Sequence, residues 1–214
     1  MYPDVIVNEW AESEEIIKNI AKSYLYKDIF AFQNIKNSEI LEKLLQALAL
    51  QIGSEVSYSE LWWLLWIDKN TIKKYIEILE KAFIVYRIPP FSRNIRNELK
   101  KMRKIYFYDT WIRNALINNF NPLDLRQDTG ALFENFMINE IIKSNANNIN
   151  YPNYFFWRTH TQQEIDLIVE EKWRLRWLEF KWKNTKIKIP KVFLEKYKNS
   201  TIDVVSKENF LNFL

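Results

Sequence analysis

Two carboxylates and a lysine interrupt the most strand-like part of the sequence. Residues 163–182 (QEIDLIVEEKWRLRWLEFKW) alternate apolar and polar side chains, which predicts a β-hairpin with its turn at residues 172–173. In that register Asp166 lies directly opposite Glu179, and their Cβ atoms would be about 4.5–5.5 Å apart. Lys181 shares the face of Glu179 because side chains alternate along a strand.

Three such side chains suit metal-assisted chemistry. Two adjacent carboxylates repel each other unless a cation lies between them, and oxygen ligands suit Mg²⁺ or Mn²⁺. A lysine beside them can orient or deprotonate a metal-bound water, or stabilise charge on a phosphate. Glu134 is a fourth candidate, because it falls on an apolar helix face, where a carboxylate needs a partner. The alternative is a surface hairpin whose charges are solvated.

Composition excludes several other chemistries. The chain has no cysteine, so disulfides, thiolate nucleophiles and cysteine-ligated zinc are excluded. His160 is the single histidine, which argues against a histidine-rich metal site or a Ser-His-Asp triad, and a polar turn suits it. The apolar run 61–67 (LWWLLWI) is too short to span a membrane, and no signal-peptide pattern follows Met1. We therefore expect a cytoplasmic protein with no membrane partner.

The first half of the chain predicts helices followed by a small sheet. Helical spacing covers residues 12–30 and 38–51, and a helix-turn-helix covers 57–83. The second helix of that pair is expected to turn five side chains inward: Ile72, Tyr75, Ile76, Leu79 and Phe83. Strands are predicted at 84–88 and 104–109. We interpret residues 38–125 as a winged-helix module, residues 1–37 as a helical linker, and the aromatic run in 61–66 as core and inter-domain contact.

The second half predicts an α/β domain over residues 126–214. Its elements are a helix at 129–146, strands at 154–159, 164–171 and 174–182, a helix near 190–198, a strand at 201–205 and a terminal helix from about residue 207. The expected fold class is therefore α+β.

The order of the four candidate residues resembles a known pattern. Glu134 on a helix, Asp166 on a strand, and Glu179 and Lys181 on the next strand resemble the PD-(D/E)xK nuclease superfamily. This resemblance implies a restriction-endonuclease-like domain in which Asp166, Glu179 and Glu134 hold Mg²⁺ or Mn²⁺. It also implies that Lys181 assists the attacking water.

A second resemblance covers almost the whole chain. The stretches YPDV, SYLYKDI, SEVSYSEL, LEKAFIVYRIPPFSRN, KIYFYD, GALFENF, EIDLIVEE and EFKW resemble the C-terminal region of predicted AAA-type ATP-binding proteins. In that family a P-loop ATPase domain precedes a winged helix and a nuclease-like domain. No GxxxxGK[ST] motif occurs, so we expect a fragment or truncated product without ATPase activity, whose full-length relatives carry the ATPase as a partner domain.

Basic residues indicate a nucleic-acid partner, most simply DNA. Lys69, Asn70, Lys73 and Lys74 open the predicted recognition helix. Two further clusters are Arg93, Arg96, Lys100, Lys101, Arg103 and Lys104 in the wing, and Lys183, Lys186, Lys188, Lys191, Lys196 and Lys198 after the last motif strand. A solvated basic surface is the alternative. Gln163 could bind substrate or water.

Glycine and tryptophan counts deviate in opposite directions. The chain has two glycines and nine tryptophans, whereas about 7% glycine is usual. Trp66, Trp111 and Trp173 stand where the related family has glycine, at turns that favour positive φ or close backbone approach. One hypothesis is that the source reads UGA as glycine.

The favoured function is Mg²⁺-dependent cleavage of DNA phosphodiesters, coupled in full-length relatives to an ATPase. The main alternative is a non-catalytic DNA- or protein-binding module that keeps the nuclease fold. A toxin-like or regulatory interaction module also fits the composition, although no residue indicates it.

Overall fold

The computed structural model describes residues 5, 7, 10–23, 38–91, 103–159, 163–183, 193, 197 and 200–214. These residues form a mixed α+β protein with six α-helices and two β-sheets. The chain divides into two compact units, Met1–Arg87 with Ile105–Arg126, and Ile88–Lys104 with Gln127–Leu214. The segment Ile88–Lys104 thus belongs to the second unit, although it precedes the boundary predicted near residue 126.

The first unit combines helices with a three-stranded sheet. Its elements are α1 (Trp10–Ser23), α2 (Ser38–Leu50), β1 (Glu55–Val56), α3 (Tyr58–Leu65), α4 (Lys69–Lys81), β2 (Val85–Ile88), β3 (Arg103–Phe107) and α5 (Thr110–Leu116). The last residue of β2, Ile88, and the first two of β3, Arg103 and Lys104, are assigned to the second unit. The strand order is β1-β3-β2. The predicted helix pair and the two strands after it are confirmed as secondary structure. Residues 24–30 of the first predicted helix lie outside the described residues.

Side-chain caps fix the starts of α3 and α4. Ser57 accepts a hydrogen bond from the backbone N–H of Glu60, and Asp68 accepts from those of Asn70 and Thr71. Between the two helices Trp66 adopts a left-handed conformation with φ 54°.

The apolar face of α4 is buried as predicted, with one exception. Ile72, Tyr75, Ile76 and Leu79 are in the core, but Phe83 follows the end of the helix, has φ 55° and is 69% exposed. The inward orientation predicted for Phe83 is therefore wrong, because the helical period ends before it.

The aromatic run on α3 is not core. Leu61 is fully buried, whereas Trp62, Trp63 and Trp66 are 40%, 63% and 82% exposed. The prediction of a buried run is wrong because a short helix on the surface of a unit buries only one stripe of side chains.

The second unit is built on a four-stranded sheet behind a long helix. Its elements are α6 (Thr129–Asn147), β4 (Asn153–Arg158), β5 (Glu164–Glu171), β6 (Arg174–Lys181) and β7 (Ser200–Ser206). The order is β4-β5-β6-β7, with the first two pairings antiparallel and the last parallel. The predicted terminal helix is a short 3₁₀ turn, Phe210–Phe213, and most of the helix predicted near 190–198 lies outside the described residues.

The hairpin between β5 and β6 turns where it was predicted. Glu171 pairs with Arg174, which leaves Lys172 and Trp173 as the two turn residues, with φ 46° and 70°. Two positive φ angles are typical of a type I′ turn, which matches the twist of paired strands. None of the described helices has the length and apolar character needed to cross a membrane.

Candidate functional site

Asp166 and Glu179 occupy opposite positions on neighbouring strands. Leu167 pairs with Leu178 in the β5–β6 ladder, and the same register places Asp166 opposite Glu179, as predicted. Asp166 is 7% exposed, and its Oδ2 accepts a hydrogen bond of 2.9 Å from the backbone N–H of Phe180. The side chain of Asp166 therefore binds the neighbouring strand just beyond the pair of Leu167 with Leu178 that ends the ladder.

Lys181 lies beside this carboxylate pair. Its Nζ is 2.7 Å from Oε1 of Glu179, and the two side chains are 35% and 15% exposed. Burial by itself lowers the pKa of Lys181, but its hydrogen bond to Glu179 and the charges of Asp166, Glu179 and Glu134 raise that pKa above the ordinary value. Lys181 is therefore a protonated ammonium at neutral pH, and it donates a hydrogen bond to Glu179.

Both strand carboxylates hold protons more tightly than usual. Burial raises the pKa of Asp166, and the charge of Lys104 and the hydrogen bond from Phe180 only partly oppose this. Burial also raises the pKa of Glu179, and the charge of Asp166 adds to the effect. An added cation near the pair would lower both pKa values and favour the ionised forms.

A second lysine completes the site from the segment Ile88–Lys104. Lys104 Nζ lies 3.0 Å from Glu134 Oε1 and 2.5 Å from Glu164 Oε1, and its side chain is 1% exposed. Burial lowers the pKa of Lys104, but the charges of Glu134, Asp166 and Glu164 outweigh it and raise the pKa. The assignment of Lys104 to a basic surface that contacts nucleic acid is wrong, because the ammonium is buried among carboxylates.

Glu134 finds a partner by a route that the sequence does not indicate. Its side chain is 12% exposed, so the carboxylate is largely buried as the apolar face predicted, but it binds Lys104. Among the described residues, no three histidine, aspartate or glutamate side chains are grouped so as to hold a metal ion on their own. The role of Glu134 as a metal ligand stays a prediction.

Lys104 and Glu164 belong to the charged cluster although the sequence did not predict them there. Lys104 is hidden in the sequence because it follows a run of basic residues, which suggests a solvated surface. The available signal is its place at the start of an apolar strand, where Ile105, Tyr106 and Phe107 are all buried. Glu164 is the first residue of β5, and a glutamate at the start of a strand gives no signal of its own.

The predicted nucleic-acid contacts lie in exposed positions where they are described. Lys69, Asn70, Lys73 and Lys74 are exposed on the first turns of α4, and Lys183 is exposed after β6. Lys69 Nζ also lies 5.8 Å from the ring centre of Trp62. Arg93, Arg96 and Lys186 fall outside the described residues, as does His160. Gln163 is exposed, and its backbone N–H donates to Thr159 Oγ1.

The chain is similar to longer bacterial proteins. Uncharacterized proteins of Mycobacterium bovis and Mycobacterium tuberculosis are each 31% identical to it over 140 residues, which cover 64% of this chain and 31% of theirs. An uncharacterized protein of Haemophilus influenzae is 26% identical over 121 residues, 54% of this chain and 30% of its own. The matches thus span about a third of these relatives' lengths. No solved structure matches the chain significantly.

Two family models match consecutive parts of the sequence. Residues 129–210 match a domain of unknown function, DUF4143, and this range contains Glu134 and the motif strands. Residues 1–123 match another domain of unknown function, DUF8612, and this match covers more than half of the chain. The chain therefore belongs to the DUF8612 family.

Proposed function

We propose that this protein is a metal-dependent phosphodiester hydrolase acting on DNA, with its site in the second unit. The observation that carries the proposal is the position of Asp166 opposite Glu179, one step beyond the pair of Leu167 with Leu178 that ends the ladder, with Lys181 Nζ 2.7 Å from Glu179 Oε1. This is the helix, strand and next-strand order of the PD-(D/E)xK resemblance, with Glu134 on α6. The antiparallel β4-β5-β6 arrangement followed by a parallel β7 supports the nuclease-like interpretation.

The donor set fits a hard divalent cation. Four carboxylates, those of Glu134, Glu164, Asp166 and Glu179, lie among three cations: the ammonium groups of Lys104 and Lys181 and the guanidinium of Arg158, whose Nε is 3.9 Å from Glu164. Carboxylates thus outnumber cations, and the pKa values of Asp166 and Glu179 are raised. Mg²⁺ is commonly held by one or two carboxylates with several waters, which the Asp166–Glu179 pair can satisfy. When bound, such an ion would supply positive charge that acidifies water and neutralises phosphate.

The protein side chains divide the remaining work. Lys181 is protonated, so it donates a hydrogen bond that orients the attacking water or stabilises a phosphate oxygen. The water oxygen forms a bond to phosphorus and the bond from phosphorus to the leaving sugar oxygen breaks. A proton passes from the water to a carboxylate oxygen of Glu179, and the leaving oxygen takes a proton from solvent. Glu134 acts from outside the reacting atoms, through Lys104.

The first unit suits a DNA contact. The element order of this unit is the one that we interpret as a winged helix: α2, β1, α3, α4, β2 and β3. Lys69, Asn70, Lys73 and Lys74 are exposed at the start of α4, where a recognition helix meets bases and phosphates. We further propose an ATPase domain as the partner in full-length relatives, in line with their greater length.

A non-catalytic module is the second candidate. The specific observation in its favour is that Lys104 already neutralises Glu134 and Glu164, so part of the carboxylate cluster carries its own counter-ion. In that case the domain keeps the nuclease fold and binds DNA or a partner protein without turnover.

Cleavage of labelled DNA separates the two candidates. Single-stranded, duplex and branched DNA are incubated with Mg²⁺ or Mn²⁺ and the wild-type chain, Lys181→Ala, or Lys172→Ala as a control at an exposed lysine. The hydrolase predicts metal-dependent cutting by the wild type and the control, and none by Lys181→Ala. DNA binding without cutting by all three proteins would favour the non-catalytic module.

A further inference from the structure

We infer that Lys104 is the built-in cation of this site, and that its ammonium takes the place of a second metal ion. The inference rests on the proposed function, since it defines how many ions that site uses. It assigns a positioning role to Lys104 and Glu164, two residues outside the Asp166, Glu179 and Lys181 constellation.

The geometry around the ammonium is that of a bound cation. Lys104 Nζ has a carboxylate oxygen of Glu134 at 3.0 Å and one of Glu164 at 2.5 Å, contributed by helix α6 and strand β5. The ring centre of Phe156 lies 5.7 Å from the same atom. Carboxylates from different elements therefore converge on one positive charge with an aromatic ring beside it.

Because Lys104 is buried, its charge excludes a second cation from Glu134 and Glu164. The Lys104 side chain is 1% exposed, so its charge is not shared with solvent. A divalent ion approaching Glu134 or Glu164 would meet the ammonium within a few ångströms in a poorly screened interior, and the two positive charges would repel strongly. A second ion can bind those carboxylates only if the lysine charge is absent.

The consequence is a single-ion site. Two-metal sites hold their ions about 3.5–4 Å apart, bridged by shared carboxylates. Asp166 is buried and lies opposite Glu179 by extension of the β5–β6 register, on the strand that also carries Glu164, the partner of Lys104. Lys104 therefore neutralises one side of the cluster, fixes Glu134 and Glu164, and leaves the Asp166–Glu179 pair to the metal.

Mn²⁺ stoichiometry tests the inference. The full chain is titrated with Mn²⁺ and free ion is followed by electron paramagnetic resonance, for wild type, Lys104→Met and the control Lys172→Met. We expect one bound ion in wild type and control and two in Lys104→Met, because Glu134 and Glu164 lose the ammonium between them and a cation takes its place. The same ion should raise the melting temperature of Lys104→Met by at least about 4 °C more than that of wild type. If Lys104→Met does not fold, Lys104→Gln replaces it.

The outcomes distinguish the inference from the proposed function. Two ions of similar affinity in wild type, or the same number in wild type and in the Lys104 variant, would overturn the built-in cation. No ion in wild type but one in the Lys104 variant would uphold Lys104 as the cation while removing the metal on which the proposed hydrolysis depends.

Discussion

Lys104 Nζ lies 3.0 Å from Glu134 Oε1, which ties Lys104 to helix α6 inside the second unit. The same ammonium contacts Glu164 of β5, so one lysine holds two carboxylates from two elements. The sequence places its strongest chemical signal in the β5–β6 hairpin. The structure adds a buried counter-ion from a segment about sixty residues earlier.

Removing the charge of Lys104 should lower the free energy of unfolding. Removing the charge of its partner Glu134 as well should recover part of that loss. Breaking a buried ion pair from one side costs about 3 kcal/mol, because the remaining charge stays buried and loses this counter-ion. We expect Lys104→Met to lose about that much unfolding free energy, and Lys104→Met with Glu134→Gln to regain at least about 1 kcal/mol of the additive loss. Urea unfolding at pH 7 measures both. Strictly additive losses would mean that the two side chains do not interact.

Glu179→Gln should stabilise the metal-free protein at neutral pH and less so in acid. Burial and the charge of Asp166 raise the pKa of Glu179 above its ordinary 4.5, so the folded state binds this proton more tightly than the unfolded state. Ionised Glu179 therefore opposes folding, and the penalty develops as the pH rises from 4.5 through the raised pKa.

The test is urea unfolding of both proteins in EDTA at pH 4, 5.5 and 7. The stability gained by Glu179→Gln should increase along this series. A gain that is largest at pH 4 would contradict the direction of the pKa shift.

Glycine should be better than tryptophan at two exposed turns. Trp66 has φ 54° and Trp173 has φ 70°, and they are 82% and 81% exposed, so each ring offsets little of the left-handed backbone cost. We expect Trp66→Gly and Trp173→Gly each to add about 1 kcal/mol to the unfolding free energy. Trp111→Gly is the contrast. Trp111 lies in α5, has no left-handed φ, and stacks on Phe120 with ring centres 6.4 Å apart, so its replacement should destabilise.

The same positions bear on how the gene is translated. Two glycines and nine tryptophans, with two exposed tryptophans in left-handed turns, fit a source that reads UGA as glycine. The prediction is UGA at codons 66 and 173, and an intact mass of the natural protein lower than that of a chain with tryptophan at these positions. UGG at both codons would contradict it. The expectation of UGA at codon 111 rests on the family resemblance alone, because Trp111 has no positive φ that would require glycine.

Exposed lysines of α4 should account for part of the DNA affinity. Lys73 and Lys74 are exposed, and each phosphate contact contributes about one unit to the slope of log affinity against log salt. Replacing both with alanine should weaken binding and lower the slope by about two. Lys43→Ala is the control, an exposed lysine on α2 paired with Glu39. Fluorescence anisotropy between 50 and 200 mM salt provides the comparison, and an equal effect of the control would point to a general charge effect.

The hairpin and its pairing could be predicted because they depend on local periodicity. Alternation along β5 and β6 and the turn at Lys172 and Trp173 are enough to fix the register, and the register alone places Asp166 opposite Glu179. The lysine beside Glu179 follows from the same period. Local sequence therefore contained the pair that carries the proposed chemistry.

The rest depends on contacts between distant segments. Nothing near Lys104 in the sequence indicates that it will meet Glu134 and Glu164, because those partners lie 30 and 60 positions further along the chain. The prediction that the aromatic run on α3 is buried failed for a related reason. An apolar composition does not say which side of a helix faces the core. Leu61 is buried, while Trp62 and Trp63 are exposed.

Divalent-cation binding by the Asp166–Glu179 pair is the central claim, and Mn²⁺ titration of wild type against Glu179→Gln tests it most directly. Gln keeps the shape of Glu179 and removes the charge, so the fold is preserved while the pair loses half of its carboxylate ligands. We predict that wild type binds Mn²⁺ and that Glu179→Gln binds it at least tenfold more weakly, with Mg²⁺ competing for the same site. Equal affinity in the two proteins, or no binding in wild type, would contradict the account.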